Sequence, residues 1–164
     1  MSLPRILTLD ENNTLIQTPA PELRLLRRQH FHLDNLTIAG ETKFLDDHRG
    51  DTMEIIAEFI SGDDAAFGLR LRCNEDGRDG VVLRYANKVL NVAGTEVPIV
   101  EGEGRNTLKL HVFLDKSVME VFIDDGRTSV TRVNYPDEQD LGVAVFSADG
   151  DVVLKSLDIW RMSP

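Results

Sequence analysis

The sequence predicts an all-β domain of the sandwich or barrel type, on three observations. From about residue 50 onward, apolar residues alternate with other residues at a period of two. Turn residues interrupt this alternation roughly every 8–12 residues, which is typical of sandwiches and barrels. Only the segment from Pro21 to Arg28 has a helical pattern, which disfavours a βαβ fold.

The predicted helix is short and lies near the N-terminus. Pro21 suits the first turn of a helix, where its missing N–H is not needed. Leu23 and Leu26 are three residues apart and therefore share one helix face. The segment is long enough for two turns at most.

The predicted strands follow one another to the C-terminus. In the first, Met53, Ile55, Ala57 and Phe59 share one face. The others are Phe67 to Cys73, Val81 to Tyr85, Lys88 to Val92, Leu108 to Leu114, Val118 to Ile123, Ser129 to Tyr135, Leu141 to Phe146 and Val152 to Met162. Asp-Gly pairs, whose glycines supply the positive φ of tight turns, are found at Asp76-Gly77, Asp79-Gly80, Asp125-Gly126 and Asp149-Gly150. The pair at Asp125-Gly126 predicts a hairpin.

Size and charge limit the classes of function. At 164 residues the chain has the length of one domain, and we predict a single β-sandwich domain over residues 1–164. A single cysteine excludes an internal disulfide. The net charge of −10 disfavours nucleic acid and membrane surfaces as partners, because both are anionic.

Paired carboxylates are the first candidates for catalysis. A retaining glycosidase, for example, needs two carboxyl groups about 5–5.5 Å apart, in environments that separate their pKa values. The pairs in this sequence lie beside turn residues, where exposed acids are the norm. They are Asp46-Asp47, Asp63-Asp64, Asp124-Asp125 and Asp137-Glu138. We therefore predict no catalytic residue among them.

Metal and nucleophile candidates are equally weak in the sequence. His30, His32 and Asp34 would share one face of an extended strand, but no fourth ligand of a zinc site is recognisable. Cys73 falls on the apolar face of its strand and is expected to be a buried hydrophobe. Gly102 and Gly104 are expected to lie in a turn between strands and not in a nucleotide-binding motif. We expect no metal and no cofactor.

Aromatic side chains are the candidates for carbohydrate binding, because they can stack on sugar rings. Trp160 lies in the last predicted strand beside Ile159, and we expect it to belong to the core because of the area that it buries. Tyr135 precedes Pro136. The pattern assigns no carbohydrate-binding residue.

Three stretches together resemble the C-terminal module of glycoside hydrolase family 32, the family of invertases, inulinases, levanases and other β-fructofuranosidases. The first consists of Met1 to Leu9 (MSLPRILTL), followed by Gln17-Thr-Pro and by Pro21-Glu-Leu to Leu26-Arg27. The second is Phe67-Gly-Leu-Arg-Leu-Arg72. The third and most specific runs from Leu110 to Gly126 (LHVFLDKSVMEVFIDDG) and continues to Tyr135-Pro136. The resemblance covers essentially the whole chain.

The resemblance implies a fold for this chain and a catalytic site in a different domain. It implies a two-sheet antiparallel β-sandwich of the jelly-roll or concanavalin A-like lectin type. The family's active site lies in a separate five-bladed propeller, and its catalytic motifs have no counterpart here: Arg78-Asp79 is followed by Gly80 instead of proline, and Cys73 follows Arg72 instead of glutamate. It also implies that Met1 is an interior residue of a longer enzyme and the chain a domain fragment.

The sequence and the resemblance leave three functions open. The first is a non-catalytic accessory domain whose partner is the catalytic β-propeller, with homo-oligomer contacts and contact with sucrose or fructan left open. The second is a self-standing lectin-like carbohydrate-binding module, which needs exposed aromatic side chains in a concave face. The third, an independent enzyme, has no residues to support it. Localisation follows the parent enzyme, whether secreted or cytoplasmic.

Overall fold

The computed structural model describes residues 2–62, 64–99 and 107–164, most of them in antiparallel strands. Two 3₁₀ helices cover Pro21–Leu26 and Asp124–Gly126. The strands are β1 (Arg5–Leu9), β2 (Leu15–Pro19), β3 (Arg27–Ala39), β4 (Thr42–Phe44), β5 (Thr52–Ser61), β6 (Ala66–Cys73), β7 (Val81–Ala86), β8 (Val89–Val92), β9 (Thr95–Pro98), β10 (Thr107–Asp115), β11 (Val118–Ile123), β12 (Thr128–Val133), β13 (Gly142–Asp149) and β14 (Asp151–Met162).

Two six-stranded sheets form a β-sandwich, as predicted. Sheet I has the strand order β12-β11-β10-β5-β14-β3, and sheet II has the order β4-β13-β6-β7-β8-β9. Strands β1 and β2 form a separate hairpin. Apart from its short hairpin connections, each sheet combines strands that are distant in sequence, so the order follows from packing and not from local signals.

The core lies between the sheets and is built from the alternating apolar residues. Ile55, Ala57 and Phe59 of β5 are fully buried, and Leu110 and Val112 face them from β10. One cluster joins these residues to the inner face of sheet II. The period-two pattern therefore identified the inward face of the central strands correctly.

The helical segment is confirmed, although it is a 3₁₀ helix and not an α-helix. It spans Pro21–Leu26, with Pro21 in its first turn, and none of its residues is buried. The backbone becomes extended at Arg27, where β3 begins. In the described part of the chain, no helix is long and apolar enough to cross a membrane.

The sequence pattern missed the strands that precede residue 50. The longest of these, β3, is 13 residues long and pairs along most of its length with β14. Most of its residues are exposed or half-buried, and Asn35 has a positive φ of 53°. Only Ile38 of this edge strand is fully buried, so the apolar alternation along β3 is too weak to identify a strand.

The predicted turns have the expected backbone. The hairpin β11–β12 reverses at Asp124, Asp125 and Gly126, all with positive φ. Gly77 and Gly150 adopt φ of 66° and 67°. The turn predicted at Gly102 and Gly104 lies outside the described residues.

Candidate functional site

The outer face of sheet I carries two rows of side chains, which are polar or aromatic except for Ile56. Each row takes one residue from every strand of the sheet in register, on the face opposite the core. Row one is Thr131, Glu120, Phe113, Glu54, Trp160 and His30. Row two is Ser129, Phe122, His111, Ile56, Asp158 and His32.

The N-terminal segment, residues 2–26, covers one half of these rows. The Arg5 guanidinium donates to Glu120 Oε2 at 2.6 Å and to Ser129 Oγ at 2.8 Å, and it lies 5.0 Å from the Phe122 ring centroid. The Leu3 backbone N–H donates to Glu120 Oε1 at 2.6 Å. Glu120 is therefore buried, with 2% of its side chain exposed, because two groups of the N-terminal segment satisfy both of its oxygens.

Close backbone contact fixes β2 against the β11–β12 turn. A side chain at Gly126 would place its Cβ 2.1 Å from the carbonyl oxygen of Gln17. Gly126 also has a φ of 91°, which disfavours any other residue. Glycine is thus required at position 126 for two reasons: the positive φ of the β11–β12 turn and the close approach of the β2 backbone.

A second buried carboxylate lies at the centre of row one. Glu54 accepts two hydrogen bonds from Arg27, at 2.7 and 2.6 Å, and its Oε1 lies 2.7 Å from His111 Nε2. Burial alone would raise the pKa of Glu54, but the hydrogen bonds from Arg27 and His111 outweigh it and lower that pKa to about 2. The carboxylate therefore stays ionised and acts as an anchor for Arg27.

Trp160 faces outward, which corrects the expectation that it belongs to the core. Its strand neighbour Ile159 is buried in the core, so Trp160 projects from the opposite face. The Arg27 guanidinium lies 3.8 Å from its ring centroid, and the His30 ring stacks on it at 4.6 Å with an interplanar angle of 3°. With both contacts in place, Trp160 is half-buried on the outer face of the sheet.

At the edge of sheet I the rows end in a cluster of two histidines and two aspartates. His30 Nε2 lies 2.7 Å from Asp158 Oδ1, and His32 Nδ1 lies 2.8 Å from the same oxygen. The other ring nitrogen of His32 lies 2.7 Å from Asp34 Oδ2. The hydrogen bonds to Asp34 and Asp158 raise the pKa of His32. The predicted trio of His30, His32 and Asp34 does share one face, and β14 adds Asp158 to it.

A cleft of about 430 Å³ separates the N-terminal segment from sheet I. Pro19, Leu23 and Arg24 line one wall, and residues of both rows line the other. The aromatic rings of that second wall are largely covered, because Phe122 and Phe113 are only 1% and 6% exposed. The cleft therefore offers edges of side chains and not open ring faces.

The remaining sequence candidates lie apart from these rows. Asp46, Asp47, Asp64, Asp125, Asp137 and Glu138 are exposed, as predicted, and Asp63 lies outside the described residues. Asp124 accepts from the Lys109 N–H at 3.0 Å. Cys73 is buried, which raises the pKa of its thiol, and the expectation of a buried hydrophobe is confirmed. Tyr135 is 88% exposed.

The buried carboxylates were missed by the sequence analysis, although a signal exists. Both glutamates lie inside apolar strand runs: Glu54 lies in Met53–Ile60, whose other charge is Glu58, and Glu120 is the single charge of Val118–Ile123. Such a position requires a partner cation, and the chain supplies Arg27 and Arg5. Phe113 lies between the two glutamates in row one, so they are two strands apart, about 9–10 Å.

Comparison with known proteins places the chain in a family. Residues 22–161 match the sequence model described as "Glycosyl hydrolases family 32 C terminal". The chain is 32% identical to a levanase of Bacillus subtilis (strain 168), and the match covers 99% of this chain and 28% of the levanase. It is 28% identical to a sucrose-6-phosphate hydrolase of Zymomonas mobilis, over 99% of this chain and 34% of that protein.

Solved structures show the same fold. Fructan 1-exohydrolase IIa from Cichorium intybus matches with a TM-score of 0.83 at 18% identity, over 99% of this chain and 41% of that one. The sucrose-6-phosphate hydrolase from Lactobacillus gasseri matches with a TM-score of 0.73 at 20% identity, over 97% of this chain and 33% of that one. The chain thus spans about a third of the length of these proteins. It belongs to glycoside hydrolase family 32, as the C-terminal domain of that family.

Proposed function

We propose that this chain is the non-catalytic accessory domain of a β-fructofuranosidase-type glycosidase and that it stabilises the catalytic domain of its parent enzyme. Relatives named as a levanase and sucrose-6-phosphate hydrolases are about three times as long as this chain, which covers 28% and 34% of them. The parent reaction is retaining hydrolysis of β-fructosyl bonds in sucrose or fructans. Residues 1–164 act as one unit in this proposal.

The observation that carries the proposal is the apolar surface of the β1–β2 hairpin. Ile6, Leu7, Leu9 and Leu15 are 44%, 62%, 65% and 46% exposed, and Leu25 of the 3₁₀ helix is 77% exposed. Leu9 pairs directly with Leu15, and Leu7 shares their face of the hairpin, whereas Ile6 points to the opposite face and lines the cleft. Neighbouring exposed apolar residues such as Leu7, Leu9 and Leu15 mark an interaction surface. The catalytic domain is the occupant we propose, because the remaining two thirds of the relatives' length has to be joined to a domain of this kind.

The carboxylates support a non-catalytic role. A general acid of a glycosidase needs a raised pKa. Glu54 has its pKa lowered to about 2, and Glu120 is held in an ion pair with Arg5. Both groups bind arginines of their own chain and are not free to exchange protons with a substrate.

The lectin-like alternative lacks a group of neighbouring open ring faces in the described residues. The Trp160 ring is contacted by the Arg27 guanidinium and by the stacked His30 ring. Phe113 and Phe122 are buried. Stacking on a sugar requires an accessible face of the ring. Tyr135 is exposed but stands alone in a loop after β12.

The first test is an immunoblot of the source cells with an antibody against this chain, combined with an activity assay. A band far above 18.4 kDa is expected, together with no release of fructose from sucrose, levan or inulin by the purified chain. A band at 18.4 kDa alone, or hydrolysis by the chain itself, contradicts the proposal.

A second test addresses the hairpin surface. The upstream part of the larger protein is produced separately and mixed with this chain, and co-elution in gel filtration is expected. The double variant Leu7→Glu/Leu9→Glu should abolish co-elution, because it places charges on the apolar surface. Tyr135→Glu, which changes a residue of higher exposure outside the hairpin, is the matched control and should leave co-elution intact. Equal effects of both variants contradict the assignment of the hairpin as the interface.

A further inference from the structure

The pairing of β3 with β14 brings together three side chains of the types that bind metals, two from β3 and one from the distant strand β14. His30 and His32 are two residues apart on β3 and therefore point to the same side of the sheet. Asp158 of β14 is the direct pairing partner of His32. One nitrogen of each histidine and one Asp158 oxygen all lie within 4.8 Å of one another.

We propose that His30, His32 and Asp158 bind a divalent transition-metal ion, with Zn²⁺ as the reference case. Two imidazoles and one carboxylate are a common protein ligand set for Zn²⁺, which leaves a fourth position for water. Ca²⁺ and Mg²⁺ prefer oxygen ligands throughout and are disfavoured by the two nitrogens. The site lies at the free edge of sheet I, apart from the β1–β2 hairpin, and is independent of the accessory function proposed above.

The distances suit an ion of this size. Ligands bound to tetrahedral Zn²⁺ at about 2.0–2.1 Å lie about 3.3 Å from one another. The Asp158 oxygen is 2.7 Å from His30 Nε2 and 2.8 Å from His32 Nδ1, with hydrogen in between. Replacement of that hydrogen by the metal requires each contact to open by roughly half an ångström, which side-chain rotation supplies.

Asp34 supports the assignment independently of the three ligands. It lies 2.7 Å from His32 Nε2, the ring nitrogen that does not face Asp158. A carboxylate on the far nitrogen of a ligating histidine is the usual outer partner of a zinc site, since it fixes the ring and its tautomer. His32 would therefore ligate through Nδ1 and donate from Nε2 to Asp34.

A chain of contacts leading to a buried anion holds the His30 ring in place. His30 stacks on Trp160, Trp160 lies under Arg27, and Arg27 is bound by both oxygens of Glu54. Because the ligands stand on paired strands and not on a loop, their separation is set by the sheet. The bound metal would join the edge strand β3 to β14 through side chains.

The site is accessible to an ion from solution. The side chains of His30, His32 and Asp158 are 45%, 46% and 23% exposed. The opposing interpretation is that the cluster is a set of exposed ion pairs on an edge strand, where charges prevent edge-to-edge association. The two interpretations differ in their response to metal.

The test is a titration of the tag-free, chelator-treated chain with Zn²⁺ by isothermal titration calorimetry. One equivalent is expected to bind, with a change in the fluorescence of the single tryptophan, Trp160, because it stacks on His30. His32→Ala and Asp158→Asn should each weaken binding at least tenfold, and Asp34→Asn by about tenfold or more. Asp46→Asn, an exposed turn aspartate, is the matched control and should bind as the unchanged protein does.

Thermal unfolding provides a second readout. Zn²⁺ should raise the unfolding temperature of the unchanged chain and of Asp46→Asn in a concentration-dependent manner, and Ca²⁺ should not. The altered residues are partly exposed, so circular dichroism is expected to show that the variants fold. If one variant does not fold, the other two decide. Binding of Zn²⁺ to His32→Ala or Asp158→Asn as tightly as to the unchanged chain overturns the proposal.

Discussion

Arg27 binds Glu54 through two hydrogen bonds, from Nε to Oε2 at 2.7 Å and from Nη2 to Oε1 at 2.6 Å. The two residues belong to different parts of sheet I: Arg27 is the first residue of the edge strand β3, and Glu54 lies in the central strand β5. Paired N–H donors on a carboxylate are among the stronger hydrogen bonds in proteins. The start of the edge strand is thus tied to the middle of the sheet across β14.

Replacement of Glu54 by glutamine should destabilise the fold strongly. The variant Glu54→Gln keeps the shape of the side chain but leaves Arg27 without its anion, in a site where only 21% of the arginine side chain is exposed. Loss of one partner of a buried ion pair costs about 3 kcal/mol or more. Urea unfolding, followed by the fluorescence of Trp160, measures the change in the free energy of unfolding.

Glu58→Gln is the matched control for that variant. Glu58 lies on the same strand and forms an exposed ion pair with Lys155, whose side chain is 50% exposed. Exposed pairs contribute about 0–1 kcal/mol, so this variant should unfold close to the unchanged protein. An equal loss of stability in Glu54→Gln and Glu58→Gln would show that the buried pair adds nothing beyond the exposed one.

The contribution of Glu54 to the free energy of unfolding should decrease as the pH is lowered. Its pKa in the folded protein is about 2, lower than the ordinary value of 4.5. The unfolded chain therefore binds the proton more readily, so the stabilisation is complete above pH 4.5 and is lost as the pH falls toward 2. Urea unfolding of the unchanged protein and of Glu54→Gln between pH 6 and 2 should show the two converging in acid; a constant difference would contradict the assignment.

Arg5 should hold the N-terminal hairpin to sheet I. It donates to Glu120 and Ser129 and also to Gln17 Oε1 at 3.0 Å, so it joins β1, β2, β11 and β12. Arg5→Ala should increase amide hydrogen exchange in residues 5–19 while the protection of β5 and β10 is kept, because the two-sheet core does not depend on the hairpin.

Arg127→Ala tests whether the effect is specific to the buried pair. Arg127 also contacts the N-terminal segment, through Asp10 Oδ2 at 3.1 Å, but its side chain is 56% exposed. We expect hydrogen exchange in residues 5–19 to change little in this variant. If both variants loosen the hairpin equally, Arg5 has no special role in holding it.

Local pattern predicted the central strands because each buries one full face. In β5 and β10 the alternation of apolar residues continues over at least four inward positions, and all of these are in the core. In β3 only Ile38 is fully buried, so the pattern there is too weak to identify a strand. The difference is one of buried area and not of chain position.

The rows on the outer face could not be predicted from local pattern. Their members are brought together by register between strands that lie far apart in sequence, as with Asp158 and His32. The orientation of Trp160 is the exception, because it follows from the alternation along β14. Leu157 and Ile159 face the core, so Trp160 faces outward as long as the strand continues unbroken. Which side chains meet His30 and Glu54 depends on the sheet order, and no residue spacing encodes that order.

Gly68 should be the least replaceable glycine of sheet II. A Cβ added at this position would lie 1.8 Å from the Leu83 carbonyl oxygen in the adjacent strand β7, and backbone atoms cannot move away as a flexible side chain can. Gly68→Ala should therefore cost about 3 kcal/mol or more and lower the unfolding temperature by roughly 6–12 °C. Gly62→Ala is the matched control, because its Cβ would have nothing within 4 Å. Thermal unfolding of both variants measures the difference, and equal unfolding temperatures would mean that β6 and β7 do not approach as closely as the structure has them.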